Sequence, residues 1–253
     1  MENDMENAPV ITLRFISIVP GANIEAWGRF NKWFAEVYGP MLFMKTRGAT
    51  GIDFYRLIGD TPEYPQMGSF SHRENLSLWK AATETTEIVS VQNEFIAWEK
   101  RGVIESIWSA VYELIKSYRS DPALSGQKED TRIENASIMH LEAYRLSPEN
   151  EEKYFNWFAE FGCKIFIPLF LHSPGLKGYD WFKFTGLARS KEVRDLEYPA
   201  YLSVAYFDTI QSFETFEKSP EQVAFQKALR TVFPRGLRYD WYVQYELTHS
   251  LRK

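Results

Sequence analysis

An α+β fold built from two tandem β-α-β-β-α-β units is what this sequence predicts, on three observations. The first is an ordered set of near-repeats. Trp33-Phe34-Ala35-Glu36 returns as Trp157-Phe158-Ala159-Glu160, and Gly48-x-x-Gly51-x-Asp53 returns as Gly175-x-x-Gly178-x-Asp180. Tyr64-Pro65 returns as Tyr198-Pro199, Arg101-Gly102 as Arg235-Gly236, and Trp108-x-x-x-Tyr112-Glu113-Leu114 as Trp241-x-x-x-Tyr245-Glu246-Leu247. The offsets run 124, 127, 134, 134 and 133 residues, so the matches stay collinear and each half reads as one copy of the same unit. The second observation is that β-branched runs and helical stripes alternate in the same order in both halves. The third is size: 253 residues with 45% hydrophobic and 16% aromatic content supply two cores of ordinary domain dimensions.

The elements follow in order. Residues 9–19 (PVITLRFISIV) form a β-branched run closed by Pro20-Gly21, a strand and its turn. Residues 24–38 place Trp27, Phe30, Trp33, Phe34 and Val37 at helical spacing. Strands are predicted over 48–58 and 66–71, helical structure over 74–100 with a break near Thr85-Thr86, and a fourth strand over 103–115. The second half repeats the pattern: strand 137–146, helix 148–166 opened by Ser147-Pro148 with acids in its first turn, strands 178–185 and 200–207, helical structure 210–232, strand 237–248. That order is the split βαβ or ferredoxin-like unit. The first unit spans 9–117 and the second 136–249; the polar stretch 118–135 reads as a linker and 187–197 as a loop insertion. The first eight residues are polar and are expected to be loose. Each four-stranded sheet covers one face with its helices and needs a partner on the other, which the second copy supplies, giving an intrachain barrel with the sheets packed face to face.

Composition narrows the function. The net charge of −5 comes from 34 acidic and 29 basic residues mixed along the chain, with no Lys/Arg stripe for nucleic acid. Cys163 is the single cysteine, so no intrachain disulfide or cysteine-based zinc site is available. No apolar run approaches a membrane span and the start carries no signal-peptide pattern, so the expected location is cytoplasmic. Neither phosphate-loop glycine pattern occurs, nor Gly-x-Ser-x-Gly, and the four His are scattered without metal-ligand spacing.

Trp33-Phe34-x-Glu36-x-Tyr38-Gly39-Pro40, followed by Gly48 leading into an aromatic strand, resembles the dimeric α+β barrel superfamily, and more narrowly its EthD-like branch. That branch ends the helix in a Trp-Tyr-x-x-x-His-x-Pro pattern before a Pro-Gly turn; Pro174-Gly175 keeps the turn, while Tyr38 stands where the branch has His. The resemblance implies a barrel cavity holding a small molecule. The superfamily includes cofactor-free monooxygenases, cyclases, isomerases and dehydratases, and also haem proteins of the chlorite dismutase kind, so fold alone does not choose the reaction.

Strand periodicity sorts the candidate site residues. In 137–146 the alternating sets are Met139, Leu141, Ala143 and Ile138, His140, Glu142, Tyr144. The second set aligns a His, a carboxylate and a phenol in one row, on the face assigned to the barrel cavity. His140 is the candidate general base, Glu142 its orienting partner and Tyr144 the proton donor; a His–Glu pair that only ties strands together is the other reading. The first-half counterparts are taken as Leu13, Phe15 and Ser17. Asp53 and Asp180 occupy matched positions, either as cavity carboxylates or as acceptors for backbone amides after the glycine turn. Arg56 and Lys183 lie on the opposite strand face and would suit an anionic substrate or enolate. Tyr38, Trp181 and the loop residue His172 complete the substrate-binding set, while His72, at a strand end, is expected to be solvated. The reading is a cofactor-independent isomerase, cyclase, dehydratase or monooxygenase acting on a small aromatic or polyketide-like molecule, working as a monomer or homodimer. A haem protein and a non-catalytic binding or stress-response barrel are the other readings. No metal and no cofactor are expected, with haem as the runner-up.

Overall fold

The computed structural model describes residues 8–59, 61–120, 136–188, 198–234 and 237–253. The expected terminal segment up to residue 7, the linker core 121–135 and the loop 189–197 lie outside them. Among the described residues no helix is long and apolar enough to cross a membrane.

The first half runs β1 (Val10–Ile18), α1 (Ile24–Trp33), a π-helical segment Phe34–Tyr38, α2 (Gly39–Met44), β2 (Ala49–Leu57), β3 (Met67–Arg73), α3 (Leu76–Thr83), α4 (Thr86–Lys100) and β4 (Ile104–Arg119). The second half runs β5 (Ile138–Leu146), α5 (Pro148–Trp157), a π-helical segment Phe158–Phe166, α6 (Ile167–Phe170), β6 (Leu176–Ala188), β7 (Tyr201–Phe207), α7 (Ile210–Glu217), α8 (Pro220–Val232) and β8 (Leu237–Arg252). The eight strands hydrogen-bond in the closed order β1-β3-β2-β8-β5-β7-β6-β4. Described residues within 1–114, 184–196 and 246–253 make one compact unit, and those within 115–183 and 197–245 the other.

Local chemistry sets the boundaries. Asn23 opens α1 by accepting from the Glu25 and Ala26 amides at 2.8 and 3.1 Å, which satisfies donors the helix leaves orphaned. Thr85 caps α4 and Ser219 caps α8, so both long helical stretches break in two; the second break, at 218–219, was not expected. Gly48 and Gly175 adopt φ +77° and +80° at matched positions, a region where a side chain is strained. A Cβ on Gly48 would also stand 2.7 Å from the Leu78 Cβ. The closing strands run beyond their expected ends, to Arg119 and Arg252, so Tyr118 and Arg119 belong to β4 and not to a linker.

Register decides which residues face helices. In the first unit Leu13 lies opposite Phe70 on β3 and Ala110 on β4, and Asp53 lies opposite Phe70. Ile16, Ile52 and Phe54 pack with Phe30, Phe34, Tyr38, Phe95 and Trp98 of the helices, so Ile11, Leu13, Phe15, Asp53 and His72 point to the opposite sheet face. Full burial of each such Phe is worth about 1.5–3 kcal/mol. In the second unit Leu141 lies opposite Val204, and Asp180 also lies opposite Val204. There Trp181 packs on Tyr154 and Phe158 of the helical layer, with ring centroids 6.4 and 4.5 Å apart.

These registers correct two expectations. Leu13 and Leu141 are the matched pair, so the counterparts of His140, Glu142 and Tyr144 are Thr12, Arg14 and Ile16 rather than Leu13, Phe15 and Ser17. The sequence alignment was one residue out, and on a strand one residue exchanges the faces. His140, Glu142 and Tyr144 therefore face the helices of their unit and not the barrel interior: the His140 ring lies 4.8 Å from Phe213 of α7, and Tyr144 lies 5.6 Å from Tyr154 of α5.

Candidate functional site

The sheet–helix layer of the second unit joins His140, Glu142 and Tyr144 in one hydrogen-bonded row. His140 Nε2 lies 3.3 Å from Glu142 Oε1, and the Tyr144 hydroxyl donates to Glu142 Oε2 at 3.1 Å. Tyr144 also bonds the Ser203 hydroxyl on the neighbouring strand. Gln244 brings an amide nitrogen to 3.0 Å from His140 Nδ1. An amide N–H can only donate, so Nδ1 presents its lone pair to Gln244 and the ring proton sits on Nε2 facing Glu142. His140 and Glu142 are 2% and 5% exposed, so neither is an ordinary surface group.

Around this row the layer is aromatic. A cavity of about 10 Å³, the room one water occupies, is lined by His140, Glu142, Tyr179, Ser203, Gln222 and the rings of Phe170, Phe216 and Phe225. Burial first, then the negative charge of Glu142, push the Tyr179 hydroxyl well above its ordinary range, so it stays a proton donor at neutral pH. Tyr242, edge-on to His140 at 4.5 Å, is raised by the same two causes. Gln222 and Tyr242 also line a second, open cleft of about 710 Å³ between α7, α8 and β8, together with Glu217, Lys227 and Arg230. That volume lies in the range of small-molecule sites.

The matched aspartates are held differently from either expectation. Asp180 is fully buried; it accepts from Ser117 Oγ at 2.7 Å and from Arg119 Nη1 at 2.7 Å. Asp53 accepts from Ser250 Oγ at 2.7 Å and pairs with Arg252, and His72 Nε2 stands 2.8 Å from its other oxygen. Both aspartates thus bind a Ser-x-Arg on a closing strand, and Ser117-x-Arg119 precedes Ser250-x-Arg252 by the same 133 residues as Trp108 precedes Trp241. Burial alone would raise Asp53; the hydrogen bond and charge of His72, the charge of Arg252 and the Ser250 hydroxyl outweigh it and leave the carboxyl below its usual value. His72 is 3% exposed rather than solvated. Sequence alone does not separate the strand end at His72 from a loop, and the Ser-x-Arg pair lies beyond the Glu-Leu that closes the evident repeat.

The other candidates disperse. Arg56 is exposed and pairs with Glu246 at 2.6 Å, and Lys183 is half-exposed beside Glu151 at 3.6 Å. His172 is exposed in the turn after α6. Trp181 is buried and stacks on Tyr201 at 5.6 Å. Tyr38 ends the first π-helical segment, buried in the first unit's helical layer. Among the described residues no three His, Cys, Asp or Glu side chains converge as a metal site.

No family profile matches the chain, and no curated protein matches it. Solved structures do. An anthrone oxidase-like protein superposes with a TM-score of 0.64 at 12% identity, covering 97% of this chain and 93% of the other. A candidate monooxygenase of Fusobacterium nucleatum gives a TM-score of 0.59 at 8% identity over 98% and 96% of the two chains. A candidate chlorite dismutase gives 0.59 at 11% identity over 96% of each. The chain therefore has the ferredoxin-like α+β barrel fold, matched over 96–98% of its length.

One expectation falls with these likenesses. The chain was expected to carry no cofactor, and its similarity to structures of the chlorite dismutase kind overturns that by placing it beside haem proteins. Tested on its own residues, the arrangement does not fit a haem ligand. His140 has Glu142 and Gln244 on its two ring nitrogens, and His72 has Asp53 on Nε2. His172 and His249 are exposed, outside the buried layers.

Proposed function

We propose that the chain is an enzyme that moves a proton on a small aromatic or polyketide-like molecule, with the site in the sheet–helix layer of the second unit. The observation that carries this reading is the buried His140–Glu142–Tyr144 row at the wall of a small cavity. Substrate would enter from the 710 Å³ cleft and displace Gln222 and Tyr242, which border both spaces or touch His140. Gln244 would give up His140 Nδ1, freeing that lone pair to take a proton from an acidic carbon. The resulting imidazolium keeps its Nε2 proton against Glu142, whose negative charge offsets the new positive one. Tyr179 lines the cavity and is the donor to the substrate oxygen; Tyr144 relays between it, Ser203 and Glu142. Isomerisation, cyclisation and dehydration all begin with this step.

The aromatic wall formed by Phe170, Phe216 and Phe225 supports a planar apolar substrate, and Lys227 and Arg230 at the cleft support an anionic one. The matched glycines, π-helical segments and Ser-x-Arg pairs support descent of units 9–117 and 136–249 from one duplicated EthD-like ancestor. The test is hydrogen exchange into carbon acids in deuterium oxide, with a panel of anthrones and aromatic β-diketones followed by NMR. Exchange above the solvent rate, reduced at least about a hundredfold in His140→Gln, is expected. An unchanged rate in a folded His140→Gln variant removes the assignment.

A further inference from the structure

The first unit carries, in its own sheet–helix layer, a buried cation that no carboxylate among the described residues neutralises. Arg14 on β1 is 5% exposed, and its Nε and Nη1 have no hydrogen-bond partner. The guanidinium sits over the Phe95 ring at 4.1 Å and near the Tyr38 ring at 5.3 Å, contacts that offset only part of a buried charge. Its two cross-strand neighbours are serines: Ser69 on β3 and Ser109 on β4. Directly opposite residues hold their Cβ atoms about 4.5–5.5 Å apart, so the three form one row on the helix-facing side. Ser69 and Ser109 are 1% and 2% exposed, and both hydroxyls are likewise without a partner.

Among the described residues no carboxylate pairs with Arg14. Asp53, the one buried carboxylate among the described residues of this unit, points to the other sheet face and is taken by His72, Ser250 and Arg252. A second buried cation, Arg73, lies on the same face as Arg14, bonded to Thr46 Oγ1 at 3.0 Å and to the Arg47 carbonyl. Buried charges are ordinarily paired, and buried hydroxyls ordinarily bonded. A row with one guanidinium and two hydroxyls, all offering donors and all idle, lacks an acceptor-rich anion. By strand register Arg14 corresponds to Glu142 and Ser69 to Ser203, so the same position carries a base in one unit and a cation in the other.

We infer that Arg14, Ser69 and Ser109 form a binding site for the carboxylate of a small aromatic acid. The carboxylate oxygens accept from Arg14 and the serine hydroxyls, and the ring packs against Phe95 and Tyr38 at the end of the first π-helical segment, an element often found at functional sites. A planar apolar body suits that wall better than bare phosphate does. This site lies in the other unit from His140 and does not depend on the proton-transfer reading.

The probe is benzoate, with benzamide as its neutral isostere and inorganic phosphate as the second anion, each titrated into the full chain by calorimetry and thermal melting. Benzoate is expected to bind saturably while benzamide and phosphate do not. Arg14→Met should weaken benzoate at least about tenfold, and should melt no lower than wild type without ligand because an unpaired buried charge is gone. Should Arg14→Met fail to fold, Ser109→Ala serves, with an expected loss of about threefold or more. His140→Gln should bind benzoate as wild type does, which separates this site from the proposed reaction. Equal benzoate binding by Arg14→Met or Ser109→Ala, equal binding of benzamide, binding of phosphate alone, or no saturable binding each overturns the inference.

Discussion

Removing Arg119 should expose how much the second unit depends on one buried ion pair. Its guanidinium is 3% exposed and Asp180 is fully buried, with Nη1 to Oδ1 at 2.7 Å and Nη2 to Oδ2 at 3.3 Å. Ser117 adds a third donor at 2.7 Å. Arg119→Met keeps the apolar stem but strands the carboxylate in an interior that cannot solvate it, a loss of about 3–5 kcal/mol. For a chain of this size each kcal/mol shifts melting by about 2–4 °C, so Tm should fall by about 6–20 °C. The paired change Arg119→Met with Asp180→Leu removes both charges and should recover most of that loss, since an apolar pair of similar volume can replace an ion pair nearly neutrally. The coupling is the loss recovered plus the cost of Asp180→Leu alone, at least about 2–3 kcal/mol. Urea unfolding of wild type, both single variants and the double variant, followed by circular dichroism, measures it. A single-variant loss under about 1 kcal/mol, or a double-variant loss equal to the sum of the singles, refutes the account of Asp180 as a paired, stability-critical carboxylate.

Two further predictions follow from the first unit. Asp53 has a folded pKa below its unfolded value of about 3.9, so its stabilisation is present above the unfolded value and is lost as pH falls through the folded one. Unfolding free energy should therefore drop between about pH 5 and pH 2 more steeply in wild type than in Asp53→Asn, and parallel slopes would sink the argument. Gly48→Ala should cost about 1–3 kcal/mol from its positive φ and more from the 2.7 Å approach to Leu78. Gly59→Ala, at φ +84° with nothing within 4 Å, should cost only the backbone share, and equal melting losses would show that the Leu78 contact is relieved without cost.

Much of the site was readable as residue types, and little of it as faces. The row of His140, Glu142 and Tyr144 follows from strand alternation alone, and the structure does bond the three together. Which side they take does not follow, because both faces of each sheet are buried here. Met139, Leu141 and Ala143 are as buried as the row itself, so polarity does not mark the side as it does in a half-exposed sheet. The same ambiguity hid the counterpart of Glu142: an offset of 127 paired it with an apolar residue, and the true 128 pairs it with Arg14. His72 and Asp53 are separated by 19 residues, and no local pattern announces a bond across a β-hairpin.

Taken alone, the sequence determined the element order, the turn glycines at 48 and 175 and the helix break near Thr85, because each rests on local backbone chemistry. The tertiary structure decided what depends on register and desolvation. It alone gave the one-residue phase that turns the His140 row toward the helices, the cations that hold Asp53 and Asp180, and the Arg14 Nε and Nη1 left without a hydrogen-bond partner among the described residues. A strand's period fixes which residues share a face, but only its neighbours determine what that face meets.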